Sequence, residues 1–283
     1  MKILTIDGNN LVHRVYWVAN NMNYKTEYFH VYMFLNSIKS YVELYQPDKV
    51  FCVWDEKPDY QKNQRKEDFE DYKANRDNEK TREVHSKNEE IKQLLLSMGV
   101  PSIFPRKYEA DDAIGFIDRY YWDAKHVVVT VDRDLCQLIN EDTVVYDPIR
   151  KYEINEDNFK EKLKYDKDDF LKVKAIQGDK SDNISGIKGF GKAKIAKYLN
   201  GEIELNEDQK YIYRRNFNLV ELTQNASEEK YVFDQLEKSK DIKPNWKLFL
   251  EKCNEYSFSN ITNNEGKWYT AFFEKNRLLD ILS

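Results

Sequence analysis

Apolar and polar positions along this chain follow two rhythms. Short, nearly unbroken apolar runs read as buried strands, and runs with apolar residues three or four apart read as helices. "KILTID" at residues 2–7 predicts a strand ending in Asp7, and "GNNLVHRVYWVA" a helix entered through an Asn cap. Residues 30–45 place Val31, Phe34, Leu35, Ile38, Val42 and Tyr45 on one helical face. "KVFCVWD" predicts a second strand ending in Asp55, and residues 57–85 are almost wholly polar. "EEIKQLLLSMGV" reads as a helix closed by Gly99, "PSIFP" as a short strand, "HVVVTVD" as a strand ending in Asp132 and "TVVYD" as another. Strands alternating with helices predict an α/β fold, a mostly parallel central sheet with helices on both faces. Residues 1–165 form that unit, with an insertion at about 57–85, and residues 166–283 form a helical region.

In such sheets ligands bind beyond the carboxyl ends of the strands. Asp7, Asp55 and Asp132 all sit there. "KYEADDAIGF" adds Glu109, Asp111 and Asp112 at the start of a helix whose next residues, Ala113, Ile114, Phe116 and Ile117, are apolar. Acids in a first helical turn are favoured by the helix dipole alone, so this cluster has a plain structural reading. Its shared address with the other strand-end acids supplies the chemical one. Asp134, in "TVDRDL", starts the following helix, as a cap or as a member of the acidic edge.

A second constellation lies in "KAIQGDKSDNISGIKGFGKAKIAKYL", residues 174–199. Asp179 and Asp182 are three apart, the spacing of one face of a helical turn. Gly186, Gly189 and Gly191 then lead into Lys188, Lys192, Lys194 and Lys197, with no acid among residues 183–201. Glycines let backbone N–H groups approach a phosphate, and lysines add charge, so this helix-hairpin-helix reads as a contact for a nucleic-acid backbone.

Composition narrows the chemistry. Four scattered histidines and three well-separated cysteines give neither HExxH nor CxxC, so a metal would be held by oxygen, as Mg²⁺ or Mn²⁺ is. With no apolar run of membrane-spanning length and no signal-peptide core, the expectation is a soluble protein of the cytoplasm. The net charge of −5 at first sight opposes nucleic-acid binding, but it is a sum and hides how the charge is distributed.

The ordered set "TIDGNNL", "VWDEKP", "YKANRD", "YEADD", "TVDRDL" and "GDKSDNISGIKGFGKAKI" resembles the phage and bacterial 5′-nucleases, the flap endonuclease/5′-3′ exonuclease superfamily that includes phage enzymes described as RNase H. The resemblance covers roughly residues 1–200. It implies the PIN-like 5′-nuclease fold and two-metal hydrolysis of phosphodiester bonds near the 5′ end of branched or duplex DNA or RNA–DNA, in primer removal during replication. It assigns Asp7, Asp55, Glu109, Asp111, Asp112 and Asp132 to a tighter metal group, and Asp134, Asp179 and Asp182 to a more distant one. It implies two Mg²⁺ (or Mn²⁺), with a K⁺ at the helix-hairpin-helix. The insertion becomes an arch through which a single-stranded 5′ end passes. Lys73 and Arg76, three apart and so on one helical face, become candidates for stabilising charge on the scissile phosphate, Tyr72 for base stacking, and Arg14 for a DNA contact. The expected partner is a 5′ flap or 5′ end, bound by a monomer with no membrane association, in a bacterial host's cytoplasm if phage-encoded; replication proteins are further candidates. A PIN-type ribonuclease and a non-catalytic junction-binding protein are the rivals. The hairpin and long insertion weigh against the first, and the complete acidic set against the second. Residues 202–283 match no motif; they read as helical packing around the hairpin, with "NRLLDILS" a terminal helix.

Overall fold

A computed structural model describes residues 1–22, 26–55, 63–74 and 82–274. Six strands, β1 (Lys2–Asp7), β2 (Lys49–Val53), β3 (Ser102–Ile103), β4 (Lys125–Val129), β5 (Thr143–Asp147) and β6 (Tyr152–Ile154), form one sheet in the order β3-β2-β1-β4-β5-β6. All pairings are parallel except β5 with β6. The chain steps outward from β1 through β2 to β3, then crosses back to β4 on the other side of β1. The switch point of this doubly wound sheet therefore lies between β1 and β4.

Side chains alternate across the strands, and both faces are apolar. Leu4, Ile6, Cys52, Trp54, Val127 and Val129 enter one core, with α1 (Gly8–Asn21), α2 (Phe29–Tyr45) and, after the short α3 (Gln64–Asp68), α4 (Asn88–Ser97). Ile3, Phe51, Val53 and Val128 enter the other, under α5 (Ala110–Tyr120). A strand buried on both sides needs an unbroken apolar run, which is why "HVVV" was so legible.

β1 and β5 have the read bounds, but β2 and β4 end earlier than the sequence pattern implied. Asp55 lies two residues beyond β2 and Asp132 three beyond β4, both in the loops above the sheet. The cap of α1 is Asp7 rather than an asparagine; its carboxylate accepts the Asn10 N–H at 3.0 Å. Asp134 begins a 3₁₀ turn, Asp134–Leu138, and its N–H donates to Asp132 Oδ1 at 2.8 Å.

Beyond α6 (Phe159–Leu163), α7 (Lys167–Gln177) leads into a two-stranded ribbon, β7 (Gly178–Asp179) with β8 (Ile184–Ser185), and then α8 (Lys192–Leu199). Asp179 is thus on a strand and Asp182 in the ribbon's turn, not together on a helical turn. α9 (Glu207–Val220) packs along α7. The rest departs from the expected packing around the hairpin. α10 (Ala226–Ser239) returns to α5, and α11 (Trp246–Glu255) to α4. Two short helices, α12 (Ser259–Thr262) and α13 (Glu265–Tyr269), follow, and Phe249, Cys253, Ile261, Trp268, Phe272 and Phe273 complete the first sheet-face core. Residues 226–274 thus pack on the α/β body. "NRLLDILS" lies outside the described residues, as does Arg76.

Candidate active site

The switch point opens into a cleft of about 900 Å³ lined by Asp7, Asp55, Glu109, Asp111, Asp132 and Lys73, with His13, Trp17, Arg82 and His85 among the residues around it. Five of the nine predicted acids therefore share one cavity, delivered by the ends of β1, β2 and β4 and the start of α5. Thr130, just past β4, donates to Asp7 Oδ2 at 2.8 Å and ties the two sides of the switch point together. Asp55 accepts the Ala110 N–H at 3.2 Å, and its own N–H donates to Asn9 Oδ1 at 3.1 Å.

Charge in the cleft is unevenly compensated. Burial, then the charges of Asp132 and Asp55, push Asp7 up to about 7 against the hydrogen bonds from Asn10 and Thr130. Asp111 is raised well above the carboxylate range by burial and by Asp132 and Asp7. Burial would raise Glu109 too, but Lys73, Arg65 and the Tyr72 hydroxyl outweigh it and hold Glu109 at about 2. Acids that resist ionising beside one another mark a place short of positive charge. A gathering of carboxylates that resist ionising together fits a hard divalent cation, which takes oxygen ligands. Among the described residues no three such side chains form a ready-made cation cage; facing carboxylates repel, and lysines stand between several of them.

Asp112 differs from its predicted role. Both oxygens are engaged by Arg65, Nη1 to Oδ2 at 2.6 Å and Nη2 to Oδ1 at 2.9 Å, and it accepts the N–H groups of Glu109 and Thr223. It is 1% exposed and does not line the cleft. Its place is beneath the site, fixing the start of α5. Tyr72 also departs from expectation. At 2% exposure it offers no ring face to a base, and its hydroxyl donates to Glu109 Oε2 at 2.7 Å.

Lys73 follows Tyr72 in a turn, at φ +54° rather than in a helix. Its ammonium is 2.6 Å from Glu109 and 3.6 Å from Asp182, and its backbone N–H donates to the Asp182 carbonyl. The described part of the insertion is therefore clasped to the ribbon turn. On the far side of β4, Lys174 pairs with Asp134 and lies 3.5 Å from Asp179. The three predicted distal acids are thus split between two lysines. Arg14 is half-buried and donates to the Tyr41 hydroxyl at 2.6 Å, bridging α1 and α2 beside the cleft rather than lining it.

The hairpin has the expected form. Ile187 N–H donates to Ile176 O, and a side chain at Gly186 would meet the Gln177 carbonyl at 2.1 Å, so the chain can turn there only as glycine. Gly189 lies at φ +81°, and Gly191 caps α8 with open space around it. Lys188, Lys192 and Lys194 are all exposed.

Sequence reading missed Arg65 and Thr130. Arg65 looked like one charge in a charged insertion, and only its pairing with Asp112 across 47 positions marks it out. Asn9 and Asn10 stood inside a quoted motif, but nothing in a linear pattern shows that they hold the Asp55 and Val131 backbones.

Residues 2–164 match the model of the 5′-3′ exonuclease N-terminal, resolvase-like domain. The chain is 32% identical over 211 residues to the 5′-3′ exonuclease of Bacillus subtilis strain 168, covering 70% of this chain and 69% of that protein. It is 31% identical over 203 residues to that of Mycoplasmopsis pulmonis, covering 70% and 66%. A 30% match to the DNA polymerase I of Caldicellulosiruptor bescii covers 73% of this chain and 25% of the polymerase. The chain thus spans a quarter of that polymerase and about two thirds of the exonucleases. The phage T5 5′-exonuclease with bound zinc shares the fold, with a TM-score of 0.68 at 21% identity over 84% of this chain and 100% of that one. With the acids gathered at the switch point of a matching sheet, the chain belongs to the 5′-3′ exonuclease family.

Proposed function

We propose that this protein is a structure-specific 5′ nuclease that hydrolyses phosphodiester bonds near the 5′ end of branched or duplex DNA or RNA–DNA. The observation that carries this reading is the gathering of Asp7, Asp55, Glu109, Asp111 and Asp132 in one cleft, beside a lysine supplied by the insertion. Asp7, Asp55, Asp111 and Asp132, with Glu109, would hold one Mg²⁺ or Mn²⁺, and Asp134, Asp179 and Asp182 a second. Such ions lower the pKa of an attacking water and neutralise the departing 3′ oxygen.

The chain's own residues do the rest. Thr130 and Asn10 fix the Asp7 carboxylate, and Asn9 and Ala110 fix the Asp55 loop. Lys73, and with it Arg76, would place positive charge against the scissile phosphate. The exposed lysines and glycines from Gly186 to Lys194 would grip a duplex backbone, and a K⁺ at that turn belongs to the same reading.

The test is release of label from a 5′-labelled flap, a nicked duplex and a single strand, with Mg²⁺ and with chelator. Metal-dependent cutting of the flap or nick above the single strand is expected. Cutting confined to single-stranded RNA would favour the PIN-type ribonuclease, and binding without cutting the junction-binding protein.

A further inference from the structure

α7 carries, in its last turn, a lysine facing carboxylates from two different parts of the fold. Lys174 pairs with Asp134, from the turn after β4, and lies 3.5 Å from Asp179, on the ribbon leading to the hairpin. The three side chains are 16%, 21% and 22% exposed. They line a cleft of about 520 Å³ that also includes Asn10, Asp132, Tyr165 and Gln177. The group is thus partly withdrawn from water, where ion pairs are screened less than at an open surface. Asp134 and Asp179 are two of the three acids proposed above for the distal cation.

We propose that Lys174 is a built-in competitor of that cation. The ammonium and a divalent ion claim the same carboxylate oxygens, so the ion enters as the ammonium leaves. A lysine suits this exchange, being a compact charge on a flexible stem that can move without moving its helix. Once displaced, the ammonium remains in a cleft shared with Asp132, close enough to the proposed reaction centre to take a substrate phosphate. Phosphate and distal cation then favour each other's binding, since a phosphate draws the lysine off the carboxylates the cation needs and the cation frees the lysine for the phosphate, and the coupling is reciprocal. Lys174 also joins the α/β body to the hairpin, so one exchange of partners reports cation occupancy to the element that grips the nucleic acid. The inference rests on the two-group cation reading of the preceding section.

Titration calorimetry of Mn²⁺ into the nucleic-acid-free full chain tests it, comparing the native protein, Lys174→Met and Asp179→Asn. The distal class of sites is assigned by its loss in Asp179→Asn. It should bind about tenfold more tightly in Lys174→Met, a change of ~1.4 kcal/mol. Equal or weaker affinity in Lys174→Met overturns the competitor role while leaving two cation groups standing. Absence of the distal class from both the native protein and Lys174→Met overturns both readings. If Lys174→Met does not fold, the Lys174 side-chain resonance of the native protein, titrated with Mg²⁺, decides. Movement that saturates with the distal class supports exchange, and a resonance unmoved at saturating Mg²⁺ overturns it.

Discussion

Glu109 and Asp7 lie in the same cleft and are held at opposite ends of the carboxylate range, about 2 and about 7. The difference is the company each keeps. Glu109 has Lys73, Arg65, Asn63 and Tyr72 around it. Asp7 has two hydrogen-bond donors and two other acids. The contrast shows that Glu109 already has positive and hydrogen-bonding partners within the chain, while Asp7 faces other acids. Asp132→Ala should abolish cleavage while leaving flap affinity within about twofold, because Asp132 lines the acidic cleft and the hairpin lysines do not; a gel-shift beside a cleavage assay reads both, and parallel loss of both would refute the separation. Lys73→Ala should lower kcat by about 10²-fold, the scale for losing one donor to a developing oxyanion; a change confined to KM would place Lys73 in ground-state binding instead. Arg65→Ala strips the buried Asp112 of its partner and should cost about 3–5 kcal/mol, the range for breaking a buried pair, in urea unfolding. Acidic side chains were legible from their positions at strand ends. Of their basic partners Lys73 stood in a quoted motif, but Arg65 and Lys174 were not singled out, because they meet Asp112, Asp134 and Asp179 only through the folded chain.

Among elements, the sheet was the most legible part, since a strand buried on both faces must be apolar throughout. The ends of β2 and β4 were read two and three residues too long because "WD" and "TVD" continue the strand pattern into loops that have left the ladder. Spacing arguments failed where the chain was not helical. Asp179 and Asp182 had helical spacing, yet they are divided between a ribbon strand and its turn, and Lys73 has left-handed backbone, while its spacing partner Arg76 lies outside the described residues. The hairpin was legible because glycine is demanded there by close packing. Gly186→Ala would force a Cβ against the Gln177 carbonyl, and the 186–199 amides should exchange with deuterium at least tenfold faster than in the native protein, with weaker duplex binding. An unchanged exchange pattern would mean the turn accommodates a side chain by shifting bodily.

Across the whole molecule, Asp7, Asp55, Glu109, Asp111 and Asp132 are gathered in a cleft while Lys188, Lys192 and Lys194 stand exposed at the hairpin, so a net charge of −5 coexists with a local surface suited to phosphate. Duplex binding should weaken linearly in log K against log salt, with a slope of about −0.9 per phosphate neutralised. A slope near zero would remove the hairpin from backbone recognition. Least legible of all was the path of the last quarter of the chain, which bears no motif and whose aromatic residues announce burial without saying against what. Phe249 is fully buried among Trp246, Trp268 and Phe273, and Phe249→Ala should cost about 3–5 kcal/mol, visible as a lowered thermal midpoint even though it does not line the acidic cleft.

That carboxyl-terminal return has a practical corollary for anyone dividing the molecule. Residues 2–164, the span of the matched family, are not self-sufficient in this chain, because Phe249, Cys253, Ile261 and Trp268 fill one side of their interior. A fragment stopped at residue 164 or 200 would leave a wide oily face bare and should clump or unfold, and its silence in a nuclease assay would say nothing about where catalysis resides.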